Sequence, residues 1–558
     1  MSNIYKRGEN RKQQLLFPPS IDEYVEENNQ VRAIEDYVEL LDMVKLGFTK
    51  SALNRTDGQP AYHPKLLLKI YIYGYLNKIR SSRKLEREIK RNIEMMWLCS
   101  GLKPSYKTIS NFRKENSKAL KQVFREFTLL CKELDLITGE LVAIDGAFLR
   151  ANASKNKLIL KRNVIKDIKI INEKIDEYLK KMEFIDSQEK KEKGLSPLPR
   201  NNLSKMKKSK EKLDKELALL EKMKLTQYNR TDKDAKLMIK PSHNLMAYNS
   251  QIVVDDKFKF IVASEVSSDG NDHGKLHSMA IQTKEITKND NITIIGDTGY
   301  YSAKEIAKCR EDNINPIVAI PNINKIQKNK GYYLHNQFIY DKSNDCYICP
   351  NKQNLTKSNS IITIENGTKN YVYRTSSKIC NACTLRDKCI PKKTAYKRIS
   401  RSQYSNTIIK YKEKMKTKMA KDLIKKRGSI VEHPFGTIKR DLGWDHFLVR
   451  GIEKVSGENA LIMFSYNFRR LLNLIGIVLF RKLIIALKDG DIQKIKVEIE
   501  AYILLFIFIW KNYFIRIGFY DFKKERLVFF NHLGVLLVSW DMFFHSLFSS
   551  ATISKQFS

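Results

Sequence analysis

Residues 141–152 read LVAIDGAFLRAN, and residues 292–302 read ITIIGDTGYYS. Each opens on a short apolar, β-branched run that predicts a buried strand, and each run closes on an aspartate, Asp145 or Asp297. Strand ends are where a rigid scaffold presents charged groups. Between and after the two runs, helical and strand text alternates. AYNSQIVVDD (247–256) and FKFIVASEVSS (258–268) predict two strands joined by a polar turn. HGKLHSMAIQTKEIT (273–287) and SAKEIAKCREDN (302–313, Ser302 as cap) predict helices, and NPIVAIP (315–321) a further strand. The expected class is α/β, a mixed sheet with helical insertions.

A third acid, Glu432, stands in RGSIVEHPFGTIKR (427–440), a basic stretch of helical pattern. Lys439 lies seven residues on, nearly two turns, so the two are expected on one helix face. Pro434 has no N–H, which predicts that the helix kinks or begins there, and Gly443 is a reasonable stop. Two strand-borne aspartates and a helix-borne glutamate suit two divalent ions. Such ions sit about 3.5–4 Å apart and clamp the attacking and leaving oxygens of a phosphodiester. Magnesium keeps several waters and takes few carboxylates, so three suffice.

The chain has 558 residues with 101 Lys+Arg against 62 Asp+Glu, a net charge of +39 and a pI near 9.7. That balance points to a polyanionic partner, bound through salt-sensitive phosphate contacts. The opening MSNIYKRGENRKQQLL has no apolar core of signal-peptide length, which predicts a cytosolic protein with reduced thiols. Clustered cysteines then suggest a metal site. Cys346-Tyr-Ile-Cys349 and Cys380-Asn-Ala-Cys383 form two knuckles, with Cys389 close behind. The spacing fits tetrahedral structural zinc on Cys346, Cys349, Cys380 and Cys383, with Cys389 competing for one position. Cys99, Cys131 and Cys309 stand alone in helical text and are expected in cores.

Five segments are expected. Residues 1–135 form a helical domain, suited to DNA or to plain helical packing, with SSR (81–83) as turn and cap and one long helix from Ser105–Thr108 to about Leu134. Residues 136–321 form the first part of the core, with a helical hairpin inserted at 155–225 around the loop GLSPLPRNN (194–202). Residues 322–400 hold the cysteines, 401–475 the helices with Glu432, and 476–558 an apolar, aromatic tail of unknown role. Its unbroken apolar run, 501–510, is too short to span a bilayer, so a membrane partner is not expected.

AIDGAFLRAN, IGDTGYY and VEHPFGTIKR occur together with HFLVRG, ENALIMFSYNFRRL and HPKLLLKIYIYGY…SSRKLE…PSYKTISNFR. Over roughly residues 5–475 the chain resembles bacterial insertion-sequence transposases of the DDE class. The resemblance implies an RNase H-like core, with Asp145, Asp297 and Glu432 as a triad binding Mg2+ or Mn2+. It implies that Arg427 and Lys439 belong to a Tyr-Arg-Glu-Lys signature and contact DNA, with Arg440 and Arg450 from the same motifs beside them. Where related elements carry the Tyr, this chain has Ile424. The implied partners are double-stranded DNA, both inverted-repeat ends and target, and a second copy in a homodimer. No small-molecule substrate is implied, and the implied location is the bacterial cytoplasm at the nucleoid. A catalytically inactive DNA-binding derivative and a structure-selective nuclease are the alternatives.

Overall fold

In the N-terminal helices, side chains close the ends. His63 Nδ1 accepts the Lys65 N–H ahead of Pro64, opening a helix at Pro64–Leu76. The computed structural model describes residues 20–49, 60–189, 200–239, 244–321, 331–364, 367–516, 520–521 and 526–527. In chain order the helices are α1 (Gln30–Leu40), α2 (Pro64–Leu76), α3 (Ser82–Arg91), α4 (Ile93–Leu98), α5 (Tyr106–Glu115) and α6 (Ser117–Glu133). The single long helix expected here is two. Asn116 breaks it because its amide competes with the backbone, accepting from Thr49 N and Oγ1 and donating to Phe112 O.

The central sheet is built on β1 (Leu141–Arg150). After it come the two-stranded β2 (Leu158–Leu160) and β3 (Gln227–Asn229), which clasp the base of the hairpin α7 (Lys161–Glu189) and α8 (Arg200–Lys222). Residues 194–199 of the expected Pro-containing loop lie outside the described residues. The sheet adds β4 (Lys236–Ile239), β5 (Asn244–Asp255), β6 (Ile261–Ser267), β7 (Thr293–Gly296) and β8 (Asn315–Val318). Its order is β4-β5-β1-β7-β8, with β6 also on β5. β4, β6 and β1 each pair antiparallel with β5, whereas β7 pairs parallel with β1 and β8 parallel with β7. α9 (Leu276–Thr287) and α10 (Ala303–Glu311) cover one face, burying Leu276, Met279, Ile306 and Cys309 against Val142, Ile144, Val253 and Ile294. The mixed α/β class with a helical N-terminal region is thus observed.

A second sheet, ordered β13-β12-β11-β10-β9, carries the knuckles: β9 (Ile339–Asp341), β10 (Cys346–Ile348), β11 (Asn354–Thr363), β12 (Lys369–Arg374) and β13 (Arg398–Ser402). The short helix α11 (Ser377–Asn381) lies between β12 and β13. Then follow α12 (Ser405–Lys416), α13 (Lys418–Gly436), α14 (Ile452–Asp489) and α15 (Ile492–Arg516). Within α14, Asn467 accepts from Ile261 N and donates to Ile261 O, so an amide stands in for a neighbouring strand at β6. Asn459 likewise joins Ser250 and Ser264.

The chain divides into two units, Met1–Glu26 with Leu41–Arg470, and Glu27–Leu40 with Leu471–Ser558. In the second unit, Arg481 pairs with Asp36 and Glu27. The expected boundary near residue 475 falls inside α14, whose backbone breaks at Gly476 (φ 76°, ψ 164°). The start of the tail, to Asp489, is helical. Most of the later aromatic run, 527–548, lies outside the described residues. Among the described residues no helix is long and apolar enough to cross a membrane.

Candidate active site

Asp145 lies mid-strand, not at the strand end that its sequence suggested. β1 continues to Arg150 on β5, but its parallel pairing with β7 stops at Ala143–Ile295. Continuing that register by two residues sets Asp145 alongside Asp297, the first residue past β7. The two aspartates thus meet where one side of β1 loses its neighbour. Asp297 Oδ1 is held by Gly299 N at 2.8 Å. Asp145 Oδ1 accepts from Gly146 N at 2.9 Å. Burial pushes the Asp145 carboxyl above the usual carboxylate range; Arg427 and the Gly146 N–H oppose this, and the charges of Asp297 and Asp272 add to it.

Asp272 was not foreseen. It sits in the polar loop between β6 and α9, and its Oδ1 accepts from Asn249 Nδ2 (2.8 Å) and Gln251 Nε2 (2.5 Å) of β5. The Tyr300 hydroxyl donates to Gln251 Oε1. Two glycines leave room: a Cβ on Gly146 would meet Gln251 Nε2 at 2.3 Å and Asp272 Oδ1 at 2.6 Å. A Cβ on Gly299 would lie 3.0 Å from Asp297 Oδ1 and 3.2 Å from Asp272 Oδ2. The available signal was two polar amides, Asn249 and Gln251, in a strand buried on both faces.

α13 packs across β1, β5, β7 and β8 and brings Arg427 to the site, with Nη1 3.5 Å from Asp145 Oδ1. Glu432 is on the same helix but exposed, and its carboxylate lies back along the helix, 3.1 Å from where a Cβ on Gly428 would be. The helix neither begins nor stops at Pro434. It opens at Lys418, capped by Thr417, runs through the proline, and passes into a π-helical turn at Thr437–Asp441. The extra residue in that turn ends the regular register expected between Glu432 and Lys439. Lys439 stands over the Phe435 ring at 5.2 Å. Gly443, with φ +70°, follows the turn. Arg440 is exposed, and Arg450 donates to Asn152 O and Oδ1.

In the second sheet, Cys346 is the first residue of β10 and Cys349 the first residue past it; strand alternation carried one residue further puts them on opposite faces. Cys349 and Cys389 both pack beside the Tyr347–Leu355–Tyr373 cluster. Asn351 Nδ2 donates to Cys383 Sγ, Lys397 N to Cys380 Sγ, and Lys397 Nζ to Cys389 O. Burial raises the Cys389 thiol, Lys397 lowers it, and Cys380, Cys349 and Cys383 raise it further. Cys346 instead feels Asp341 and Asp345, after burial. All eight cysteines are free. Among the described residues, no three His, Cys, Asp or Glu side chains stand ready to close on one metal ion.

Residues 19–115 match the family model described as a transposase domain (DUF772), and residues 348–472 match one described as a transposase DDE domain. The second match contains Glu432 and four of the five clustered cysteines from Cys349 onward, but neither Asp145 nor Asp297. Among solved structures, a synaptic complex of piggyBac transposase with hairpin DNA is similar at 10% identity, covering 85% of this chain and 75% of that one, with a TM-score of 0.27. No curated protein matches.

Proposed function

The chain belongs to the insertion-sequence transposases of the DDE class, and we propose that it cuts and joins DNA at the ends of its own element, using divalent metal ions. One observation supports this reading: β1 and β7 pair in parallel up to Ala143–Ile295, two residues short of Asp145 and Asp297, and the charge of Asp297 acts on Asp145, within a chain of net charge +39.

The residues present fit a divalent cation. The charges of Asp297 and Asp272 act on Asp145, Asn249 Oδ1 is buried beside Asp272 with no donor among the described residues, and the Arg427 guanidinium stands 3.5 Å from Asp145. Bound Mg2+ or Mn2+ would activate a water, then a DNA 3′-hydroxyl, for in-line attack on phosphorus. In each step a P–O bond forms to the attacking oxygen, the P–O3′ bond breaks, and the leaving 3′-oxygen takes up a proton. Asp145 and Asp297 hold the charge that places the reacting phosphate, and no side-chain nucleophile is required. Glu432 completes the triad in this reading, which requires its exposed side chain to turn toward β1. Arg427, Lys439, Arg440 and Arg450 take the DNA backbone. We assign the central sheet to an RNase H-like core: an antiparallel β5–β6 pair beside β1, with β7 and β8 parallel to it.

The cysteine sheet is read as a structural zinc module. Its four thiolates are Cys349, Cys380, Cys383 and Cys389, with Cys346 on the other side of β10. The active form is read as a homodimer holding two element ends, in the bacterial cytoplasm at the nucleoid.

A second reading is favoured by one observation: α13 presents Arg427, not Glu432, to Asp145. A chain locked in that arrangement binds DNA without cutting it. Incubating the protein with the DNA flanking its own gene and Mg2+, and mapping nicks to the nucleotide, separates the two. Discrete nicks at the element ends support the transposase; binding without nicks supports the inactive derivative. Nicks at branched DNA regardless of sequence would indicate a structure-selective nuclease.

A further inference from the structure

We propose that Asp272 is a fourth carboxylate of the metal site, contacting the cation through Oδ2 while Asn249 and Gln251 hold its Oδ1. The proposal rests on the metal-dependent reading above and names a residue outside the triad.

The strand β5 is buried almost throughout, and Asn249 and Gln251 are fully buried on it. Buried amides are costly unless hydrogen-bonded. Both spend a donor on the same oxygen of one loop carboxylate. Gln251 is itself fixed, because the Tyr300 hydroxyl donates to its Oε1. Tyr300 is fully buried and its hydroxyl is held well above the usual phenol range, by burial first and then by the charges of Asp272, Asp145 and Asp297. It therefore remains a donor. The result is a carboxylate locked in orientation, with Oδ1 saturated.

Oδ2 faces the recess. It and Asp297 Oδ1 lie within 3.2 Å of one point, the place where a Gly299 Cβ would stand. The floor is formed by Gly146, where a Cβ would strike the Gln251 and Asp272 side chains. Asn249 Oδ1, also buried, lies 3.0 Å from the same Cβ position and has no donor among the described residues. An acceptor with no donor among the described residues, next to three carboxylates, is an arrangement that suits a cation. Arg427 supplies one, at ion-pair distance from Asp145 but without a hydrogen bond from Nη1. Magnesium keeps most of its waters and takes one or two carboxylates, so Asp272 and Asp297 are a sufficient donor pair for one ion. Three side chains closing on a single ion are not needed.

The test counts Mn2+ bound to the full-length protein by electron paramagnetic resonance, beside Mg2+-dependent nicking of element-end DNA. Asp272→Asn keeps the volume and removes the charge. It is expected to weaken Mn2+ binding at least tenfold and to lower nicking at least a hundredfold. Asp272→Cys is expected to be silent in Mg2+ and to regain at least tenfold in Mn2+ or Cd2+, which a merely structural role would not produce. Wild-type Mn2+ affinity and nicking in Asp272→Asn, with both lost in Asp145→Asn, would overturn the inference and leave the proposed function standing. Undiminished nicking in Asp145→Asn would overturn the proposed function itself. If Asp272→Asn does not fold, Gln251→Ala takes its place: freeing Oδ1 is expected to weaken Mn2+ binding severalfold, and unchanged affinity would overturn the inference.

Discussion

Replacing Arg113 by Met should loosen the junction between the N-terminal helices and the segment that follows the π turn. Arg113, on α5, and Glu458, on α14, are both buried, with Nη1 and Oε1 3.2 Å apart. Arg113 Nη1 also donates to the Tyr75 hydroxyl at 3.3 Å. Glu458 Oε2 accepts the backbone N–H groups of Leu448 (2.9 Å) and Val449 (3.2 Å), within the HFLVRG motif. Around the pair, Tyr75 stacks on Trp444 at 4.0 Å, and Arg80 lies over the same indole and donates to Gly443 O. Removing one partner of a buried ion pair leaves an uncompensated charge and costs about 3–5 kcal/mol. At 1.4 kcal/mol per factor of ten, that is roughly two to four powers of ten in the opening equilibrium. Amide hydrogen exchange at Leu448 and Val449 reads it directly, because those N–H groups are the ones bonded to Glu458. Arg113→Lys, which keeps the charge but not the fork, should recover part of the loss. Exchange at wild-type rates in Arg113→Met would refute the reasoning, and with it the view that this pair fastens the two segments.

Other outcomes follow from the site and the charge. Burial raises the Asp145 carboxyl, so its ionised form opposes folding, and stability is lost as pH rises through the raised value. Asp145→Asn should therefore unfold at a higher denaturant concentration than wild type at neutral pH, with the gain fading below the ordinary carboxylate range; equal midpoints at both ends would sink this. Purified protein should carry about one zinc per chain, lost in Cys389→Ser and kept in Cys346→Ser; metal analysis showing the reverse, or no zinc, would contradict the thiolate set. Affinity for arbitrary DNA should fall by about 0.9 log units per log salt for each phosphate neutralised, and a flat response between low and physiological salt would speak against the phosphate contacts.

The strands were legible because β-branched runs of fixed length leave few alternatives, and both aspartates were picked out as candidates by that route. Their meeting was not legible, since it depends on the parallel register of β1 with β7. Asp272 lies in SSDGNDHG, text without period or cap, and gains meaning only once Asn249 and Gln251 are seen to converge on it. The helix of Glu432 was legible, but its register with Lys439 was not, because a π turn after Pro434 changes the residues per turn. The knuckle spacing pointed to metal, yet spacing alone could not say that Cys346 opens a strand that ends one residue before Cys349. Asn116 shows the same limit in miniature: its partner, Thr49, is far away in sequence.

The central claim is most directly tested by nucleotide-resolution mapping of Mg2+-dependent nicks at the element ends, comparing wild type with Asp145→Asn, Asp297→Asn and Glu432→Gln while DNA binding is followed in parallel. The account predicts discrete end nicks by wild type, none by any of the three variants, and unchanged binding. End nicks of wild-type intensity from Asp145→Asn or Asp297→Asn would contradict it.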